Sequence, residues 1–436
     1  MIQRRRSNLP MLLAALVLPV PALAQLGPPT VVAVPQLATP ENVATSAGDT
    51  GLLARYVADV IASDLRTSRE LMPIGPANAR VYSYPEATAP AFAHWRTTGA
   101  KSLVTGFVQA RSDGRLTIGC YLHDIAGGRE IARKGFVVAP DQWRRAAHQC
   151  SDAVYARLAG QPGWFDAQIT YVAESGSGSA RVKRIAVMDS DGTGHRYLTV
   201  GGATVLTPRL SPGGERLAYV SFAGGQPHVR LMNPETGDDR PLLPGNATSF
   251  APRFSPDGKR VLFSMAIDGN TDIYSTDAEG NDLQRLTSTL GIDTAASFSP
   301  DGSRIVFESD RSGSQQLYVM NADGSDPRRI SFGGASYASP DWSPDGEWIA
   351  FTRIAGDGLR VGVMSPAGSG ERILTPGVQG EGPSWSANSR EVLFQRSEAG
   401  TGRTTLNLVS VGGGSPRRIA IPQDGSDPDW SSAGAQ

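Results

Sequence analysis

Histidines and potential nucleophiles, the residues that most often carry out chemistry, are scattered through this sequence of 436 residues. No two of the five histidines have the spacing of a metal-binding motif such as H-E-x-x-H. These histidines are His94, His123, His148, His195 and His228. The string nearest to the G-x-S-x-G turn of serine hydrolases, residues 334–338, lacks its final glycine, and neither a P-loop nor a G-x-G-x-x-G string is present. The sequence therefore predicts no catalytic residue, no metal site and no cofactor.

Three aspartates occupy the same position of a repeated four-residue string, and as a set they could be mistaken for catalytic residues. Asp257, Asp301 and Asp345 each stand in a Ser-Pro-Asp-Gly string. Asp-Gly favours a tight turn, and a repeated turn explains all three aspartates. Residues 268–272 begin like a calcium-binding loop, but that motif needs a helical setting and this string precedes a predicted strand. We therefore interpret it as a hairpin turn.

The turns belong to a repeat that covers the C-terminal two-thirds of the chain. Its marker serines are Ser211, Ser255, Ser299, Ser343, Ser386 and Ser431, with spacings of 44, 44, 44, 43 and 45 residues. Each unit contains the serine strand, a turn, an apolar strand such as residues 261–263, a third strand and a short fourth strand. Four strands in roughly 44 residues make one blade of a β-propeller.

The two ends of the repeat are complementary fragments. The first unit, from Ile169, lacks its own serine strand, and the last unit ends just after Ser431. Together they complete one blade, so we predict an all-β six-bladed propeller of four-stranded blades, closed by the C-terminal strand. Closure removes exposed sheet edges, whereas the alternative, an open solenoid, would need capped ends.

The segment before the repeat divides into a targeting peptide and a small domain. Arg4 to Arg6, an apolar run at 11–18 and the small residues Ala22 and Ala24 predict a secretory signal peptide over 1–24; the alternative is an N-terminal membrane anchor. Helical and strand patterns then alternate, with Asp141 as a possible helix cap, which predicts a mixed α/β domain over 25–163. The propeller is expected over 164–436.

Composition excludes two classes of partner. The formal net charge is −1 and the chain has no basic tract, so we expect no nucleic-acid partner. Beyond the signal peptide no stretch reaches the roughly 18 apolar residues of a transmembrane helix, so we expect no membrane insertion.

The two cysteines of the chain both face a predicted core. Cys120 lies in an alternating strand pattern and Cys150 in a helical pattern. A disulfide between them is possible in an oxidising compartment, and two separately buried thiols are the alternative.

A propeller with no predicted catalytic residue still offers a surface. Exposed loops are expected to lead into the serine strands and to meet at one mouth of the central channel, and their apolar and acidic residues suit a protein ligand. The alternative is that they are ordinary connections. The candidate binding residues are Ser249, Phe250, Ala251, Pro252, Asp293, Thr294, Ser339, Glu381, Gly382 and Asp427.

Four segments together resemble the TolB family of the Tol–Pal envelope system. They are residues 139–148, 182–189, 268–274 and 314–324. The resemblance implies a non-enzymatic periplasmic adaptor that binds the peptidoglycan-associated lipoprotein Pal at the propeller mouth and supports outer-membrane integrity, constriction during cell division and protein import. It also singles out Ala251, Thr294 and Glu381 as contacts with Pal.

The resemblance implies an inner-membrane partner, TolA, that family members bind through an N-terminal strand. Here Pro28 and Pro29 occupy that segment and cannot donate ladder hydrogen bonds, which weakens this expectation. The alternative function is a periplasmic propeller enzyme or carbohydrate-binding module, and it would require polar and titratable residues that converge inside the channel.

Overall fold

A computed structural model describes residues 28–75, 83–176, 178–245, 247–377, 379–398 and 400–431. The predicted signal peptide, residues 1–24, lies outside the described residues. In the part that is described, no helix is both long and apolar enough to cross a membrane.

The N-terminal domain is a mixed α/β domain, as predicted. Its main sheet has the order β4-β1-β5-β6-β7, with β1 parallel to both of its neighbours. The strands are β1 (Thr30–Ala33), β2 (Ala44–Thr45), β3 (Gly48–Asp49), β4 (Leu71–Ile74), β5 (Ser102–Ala110), β6 (Leu116–Asp124) and β7 (Arg129–Val138). The helices are α1 (Thr50–Thr67), α2 (Tyr84–Thr88), α3 (Phe92–Arg96) and α4 (Trp143–Ala159).

The predicted cap of α4 is wrong. Asp141 lies inside a short 3₁₀ turn, Pro140–Gln142, that leads directly into α4. The residue at the cap position is Gln142, and no side chain caps the helix. A capping side chain requires an extended residue just before the helix, and the 3₁₀ turn replaces that geometry.

The structure joins Cys120 of β6 to Cys150 of α4 in a disulfide, with the Cα atoms 6.1 Å apart. Both cysteines lie in the core between the sheet and helices α1 and α4. The bond therefore fastens α4, the last helix before the propeller, to the centre of the N-terminal sheet.

Six four-stranded sheets follow, which confirms the predicted propeller. Blade 1 contains β8 (Gln168–Ser175), β9 (Val182–Asp189) and β10 (Arg196–Tyr197), with a 3₁₀ turn at Gly178–Ala180. Blade 2 contains β11 (Val205–Leu210), β12 (Leu217–Ser221), β13 (His228–Met232) and β14 (Asp239–Pro241). Blade 3 contains β15 (Thr248–Phe254), β16 (Arg260–Ile267), β17 (Asn270–Asp277) and β18 (Gln284–Arg285).

The remaining blades repeat the pattern. Blade 4 contains β19 (Asp293–Phe298), β20 (Arg304–Ser309), β21 (Gln316–Asn321) and β22 (Arg328–Arg329). Blade 5 contains β23 (Ser336–Trp342), β24 (Ile349–Ala355), β25 (Gly358–Met364) and β26 (Arg372–Ile373). Blade 6 contains β27 (Glu381–Trp385), β28 (Glu391–Ser397), β29 (Thr404–Ser410) and β30 (Arg417–Arg418), and the final strand is β31 (Asp424–Trp430).

Strand β31 closes the ring, as the complementary fragments predicted. It pairs antiparallel with β8, from Asp424 opposite Glu174 to Trp430 opposite Ile169, and becomes the innermost strand of blade 1. Six inner strands, one from each blade, therefore surround the channel without a break.

The repeated aspartates are turn residues, as predicted. Asp257 accepts a hydrogen bond from the Ser255 hydroxyl at 2.6 Å and another from the Lys259 amide at 3.1 Å. Asp301 and Asp345 bind Ser299 and Ser343 in the same way. Asp268 and Gly269 form the two-residue turn between β16 and β17, with φ of 51° and 84°, so the hairpin interpretation of this segment is also correct.

Candidate functional site at the propeller mouth

The two ends of the channel have different surroundings. We call the end at which the inner strands β31, β11, β15, β19, β23 and β27 begin the mouth. The serine-containing turns lie at the opposite end, and there the N-terminal domain packs against blades 1 and 6. Arg390, in the turn after β27, donates to Glu70 of the N-terminal domain. The mouth is therefore the end that the N-terminal domain leaves open.

The candidate residues lie at the mouth, but in strands rather than loops. All ten belong to the inner strands β15, β19, β23, β27 and β31. Ser249, Pro252 and Asp293 are buried and the other seven are half-buried, so the expectation of exposed loops is wrong. Proline, aspartate and glycine are typical of loops in a sequence. Here they lie at an irregularity that recurs at the same position of each inner strand.

That irregularity is a β-bulge, which occurs once in each inner strand. The register shifts at the same point in every blade, for example between Thr294 and Ser297. The residues at the bulges with a left-handed backbone are Thr207, Ala251, Ala295, Ser339, Gly382 and Asp427, with φ between 46° and 61°. Five of the six are not glycine, and each such residue costs about 1–3 kcal/mol. Contacts from the surrounding structure must stabilise this conformation.

Side chains from the preceding blade provide such contacts at five of the six bulges. The amide of Ser339 donates to Glu308 Oε2 at 2.9 Å, and the amide of Asp427 donates to Gln395 Oε1 at 2.6 Å. We call each such hydrogen bond, from a bulge amide to a side chain of the preceding blade, an inter-blade latch. The other three latches are Ala295 to Ser264, Gly382 to Thr352 and Thr207 to Asp427, at 3.1–3.3 Å.

Blade 2 departs from this pattern. The acceptors Ser264, Glu308, Thr352 and Gln395 occupy one ladder position, opposite the residue that precedes the bulge. In blade 1 that position is Val172, opposite Ser426, and Asp427 of the inner strand accepts from Thr207 instead. In blade 2 it is Val220, opposite Leu206. A valine side chain has no acceptor, so it cannot form a latch to the amide of Ala251.

The polar candidates at the rim are bonded within the protein. The Thr294 hydroxyl donates to Glu308 Oε1, and Glu381 Oε1 accepts from Gln395 Nε2 at 2.9 Å. Asp293, which is fully buried, pairs with Arg311 at 2.8 Å. Burial raises the pKa of Glu308, and its hydrogen bonds to Thr294 and Ser339 oppose that rise. These residues hold the mouth in shape, and the side chain of each already has a partner within the protein.

The bulge residues form one ring around the channel. A second ring of side chains lies two residues beyond the bulge residue of each inner strand. It consists of Arg209, Arg253, Ser297, Asp341, Ser384 and Asp429. Titratable groups thus do converge in the channel, as the alternative function requires.

The charged members of this second ring neutralise one another. Arg253 lies 3.0 Å from Asp429 and 3.5 Å from Asp341, and Arg209 lies 3.6 Å from Asp429. Burial raises the pKa of Asp341. Burial and the neighbouring charge of Arg253 lower the pKa of Arg209 to about 10, which leaves it charged at neutral pH. The ring is therefore a network of two cations and two anions that crosses the channel.

Several large apolar side chains are exposed at the mouth. The loops that enter the inner strands of blades 2, 4 and 5 carry Val200, Leu290, Ile292 and Phe332, of which Leu290 is 101% exposed, Val200 94% and Phe332 62%. Sequence reasoning missed these residues because it placed the loops a few positions too late, at residues that belong to the inner strands. The available signal was an isolated large apolar side chain in a loop otherwise rich in glycine, serine and threonine.

A separate charged cluster lies between the two domains. Asp64, His148 and Asp191 have potential ligand atoms within 4.8 Å of one another, a spacing that would also suit a metal ion. Arg144, however, donates to both Asp189 and Asp191, and His148 Nδ1 lies 2.8 Å from Asp64. Protein cations therefore already balance these carboxylates, and the cluster is an inter-domain ion network.

The fold and the mouth together define a six-bladed β-propeller protein with an α/β N-terminal domain and an apolar-rimmed open mouth. Residues 155–433 match the family model of the TolB beta propeller domain, and residues 29–131 match that of the TolB amino-terminal domain. The chain belongs to the TolB family.

Individual relatives agree with this assignment. The chain is 59% identical over 402 residues to the Tol-Pal system protein TolB of Zymomonas mobilis, which covers 92% of this chain and 88% of that protein. It is 49% identical over 198 residues to the protein of the same name from Rhizorhabdus wittichii, and this match covers 45% of each chain. The crystal structure of TolB from Acinetobacter baumannii superposes with a TM-score of 0.74 at 27% identity, covering 93% of this chain and 97% of that chain.

Proposed function

We propose that this protein is the periplasmic TolB component of a Tol–Pal system and acts as a non-enzymatic adaptor. Its mouth binds the periplasmic domain of a Pal-like peptidoglycan-associated lipoprotein, and through that contact it supports outer-membrane integrity, constriction during division and protein import. The predicted signal peptide and the Cys120–Cys150 disulfide support an oxidising compartment outside the cytoplasm.

One observation carries the proposal: the mouth exposes large apolar side chains while its polar candidates are bonded internally. Leu290 and Phe332 lie in the mouth-side loops that connect the outer strands β18 and β22 to the inner strands β19 and β23. Burial of an apolar side chain contributes about 1.5–3 kcal/mol, and a few central residues usually dominate an interface. The mouth therefore supplies anchor residues for another protein.

A TolA-like inner-membrane protein is the second partner that family membership suggests. Pro28 and Pro29 precede β1 and lack the amide hydrogens that strand addition needs. We therefore confine the proposed binding site to the mouth.

The alternative is an enzyme or carbohydrate-binding module that uses the channel, and the convergence of Arg209, Arg253, Asp341 and Asp429 favours it. Their ion pairs argue against it. A general base or a sugar-binding carboxylate needs a free acceptor, whereas Asp341 and Asp429 share Arg253. Periplasmic oligosaccharides titrated into the protein test this alternative, and saturable binding that Arg253→Met abolishes would support it.

The main test uses apolar-to-charged substitutions at the mouth. Phe332→Asp and Leu290→Asp should each weaken binding of a purified Pal periplasmic domain at least about tenfold in isothermal titration, because a buried charge replaces an apolar anchor. The matched control is Leu283→Asp, which changes an exposed leucine, 47% accessible, in a turn at the opposite end of the propeller. Equal affinity of all three variants and the wild type would place the binding site elsewhere.

A further inference from the structure

Two side chains each connect an inner strand of their own blade to the bulge of the next blade. We infer that Glu308 and Gln395 are positioning residues, which set the shape of the mouth before a partner binds without contacting the partner themselves. This inference rests on the proposed function, since the mouth is the surface that they would shape.

Glu308 makes both connections through one carboxylate. Its Oε1 accepts from the hydroxyl of Thr294, its neighbour across blade 4, and its Oε2 accepts from the amide of Ser339 in blade 5 at 2.9 Å. The carboxylate is almost completely buried, at 8% exposure. It is therefore placed to fix the relative position of two blades rather than to meet a ligand.

Gln395 makes the same two connections with an amide group. Its Nε2 donates to Glu381, its neighbour across blade 6, at 2.9 Å, and its Oε1 accepts from the amide of Asp427 at 2.6 Å. Blade 4 thus combines a hydroxyl with a carboxylate, and blade 6 combines a carboxylate with an amide. The shared requirement is one acceptor for the bulge amide and one hydrogen bond to the inner strand.

The bulges make this positioning consequential. Ser339 and Asp427 adopt left-handed backbone conformations, which cost free energy for residues other than glycine. The latches are polar contacts that stabilise these conformations. Without a latch the bulge amide would have no acceptor, and the strand could relax toward regular pairing. A partner would then have to restore the mouth on binding, which lowers affinity without the loss of a direct contact.

The chemistry of the two latches predicts an asymmetric response to exchange of acid and amide. Glu308→Gln should preserve function, because glutamine can accept from the Ser339 amide and donate to the Thr294 hydroxyl. Gln395→Glu should not, because a second carboxylate would face Glu381. A residue whose role is only to fill space would tolerate both exchanges, since glutamate and glutamine have almost the same volume.

Affinity for the Pal domain and local hydrogen exchange test the inference together. Glu308→Leu and Gln395→Leu should each weaken binding about tenfold and speed exchange of the Ser339 or Asp427 amide, as expected when a buried hydrogen bond is lost. Glu308→Gln should bind within about twofold of the wild type. Val220→Leu is the control, since it changes the equivalent position in the blade that has no latch of this kind.

The outcomes separate this inference from the function on which it rests. If Phe332→Asp abolishes binding while Glu308→Leu, folded and with faster Ser339 exchange, binds like the wild type, the positioning role is wrong and the mouth remains the binding site. Where Glu308→Leu fails to fold, Thr294→Val removes only the bond within blade 4 and should weaken binding less than Phe332→Asp does. A wild type that does not bind the Pal domain would overturn both proposals.

Discussion

The amide of Asp427 donates to Gln395 Oε1 at 2.6 Å and thereby ties the last strand of the chain to blade 6. Asp427 belongs to β31, which pairs with β8 of blade 1. The final strand is therefore fastened on both sides, by a β-ladder to blade 1 and by a latch to blade 6. Ring closure therefore depends on the last strand of the chain, which pairs with the first strand of the propeller.

Truncation before Asp427 should prevent accumulation of soluble folded protein. It removes half of β31, including Trp430, which is buried in the core shared with the N-terminal domain, and it exposes the edge of β8. The measurement is soluble yield and thermal melting by circular dichroism. The control ends the chain after Ser431 and should melt like the full protein, and a truncated chain that melts within about two degrees of it would show that β31 is dispensable.

The disulfide between Cys120 and Cys150 should contribute substantially to stability. It closes a loop of 30 residues, for which the chain-entropy model gives about 3–4 kcal/mol. Cys120→Ala with Cys150→Ala should lower the free energy of unfolding by about that amount, measured in urea. Thiol titration of the denatured, unreduced protein isolated from the periplasm should find no free thiol, and two free thiols would refute the bond.

Val220→Thr should add the latch that blade 2 lacks. Threonine at this position would offer its hydroxyl to the amide of Ala251, as Thr352 does to Gly382 at 3.1 Å. A new hydrogen bond contributes about 1 kcal/mol and offsets burial of the hydroxyl, so the free energy of unfolding should change by less than about 1 kcal/mol.

The control for this substitution is Val306→Thr, at a fully buried position in blade 4 opposite Ser297 rather than beside a bulge amide. It should destabilise the protein by about 1–3 kcal/mol, because its hydroxyl lacks a comparable donor. Equal losses in the two variants would show that the Ala251 amide is not open to a latch.

The sequence was enough to predict the propeller, because its determinants are local. Each Ser-Pro-Asp-Gly turn encodes its own geometry, as the bonds of Asp257 to Ser255 and Lys259 show, and the spacing of the turns sets the blade count. The fragments around Ile169 and Ser431 even identified the closing strand.

The mouth was predicted less well, because its determinants lie between blades. Ala251 and Ala295 adopt left-handed conformations although alanine gives no sequence signal for them. The acceptor for Ala295 is Ser264, which lies 31 residues earlier in another blade. A pattern confined to one strand cannot reveal such a contact. Pro252 and Asp293 were therefore assigned to exposed loops, when they are buried in strands.

His148 is the residue that sequence reasoning most undervalued, since it was counted only as one of five scattered histidines. It is buried between the domains, with Nδ1 at 2.8 Å from Asp64 and Nε2 at 3.7 Å from Asp189. Burial alone would lower the pKa of His148, but the charges of Asp64 and Asp189 outweigh burial and raise it to about 10. The imidazole is therefore a cation at neutral pH.

The pKa directions of the two partners oppose each other in their effect on folding. Burial raises the pKa of Asp64, so this carboxylate by itself disfavours the folded state at neutral pH. His148 contacts two carboxylates, and Arg144 further balances Asp189 at 2.8 Å, so the net interaction is attractive. We therefore expect the histidinium to stabilise the domain interface.

His148→Gln should cost about 3 kcal/mol of unfolding free energy at pH 7, because it leaves a buried carboxylate without its cation. The folded-state pKa lies above the unfolded value of about 6.5, so the stabilising contribution of His148 is complete below that pH and is lost as pH rises through about 10. The difference in stability between wild type and variant should therefore shrink from pH 6.5 to pH 10.

Urea denaturation of both proteins at several pH values across that range measures this difference directly, since titrations common to the two proteins cancel. The control, His94→Gln, changes an exposed histidine of α3 and should leave the stability at pH 7 unchanged. Because the Asp189 carboxylate belongs to the propeller and His148 to the N-terminal domain, the lost stability should appear as earlier separation of the domains. Parallel curves for wild type and His148→Gln from pH 6.5 to pH 10 would show instead that the imidazole is neutral and that Arg144 alone supplies the cation at this interface.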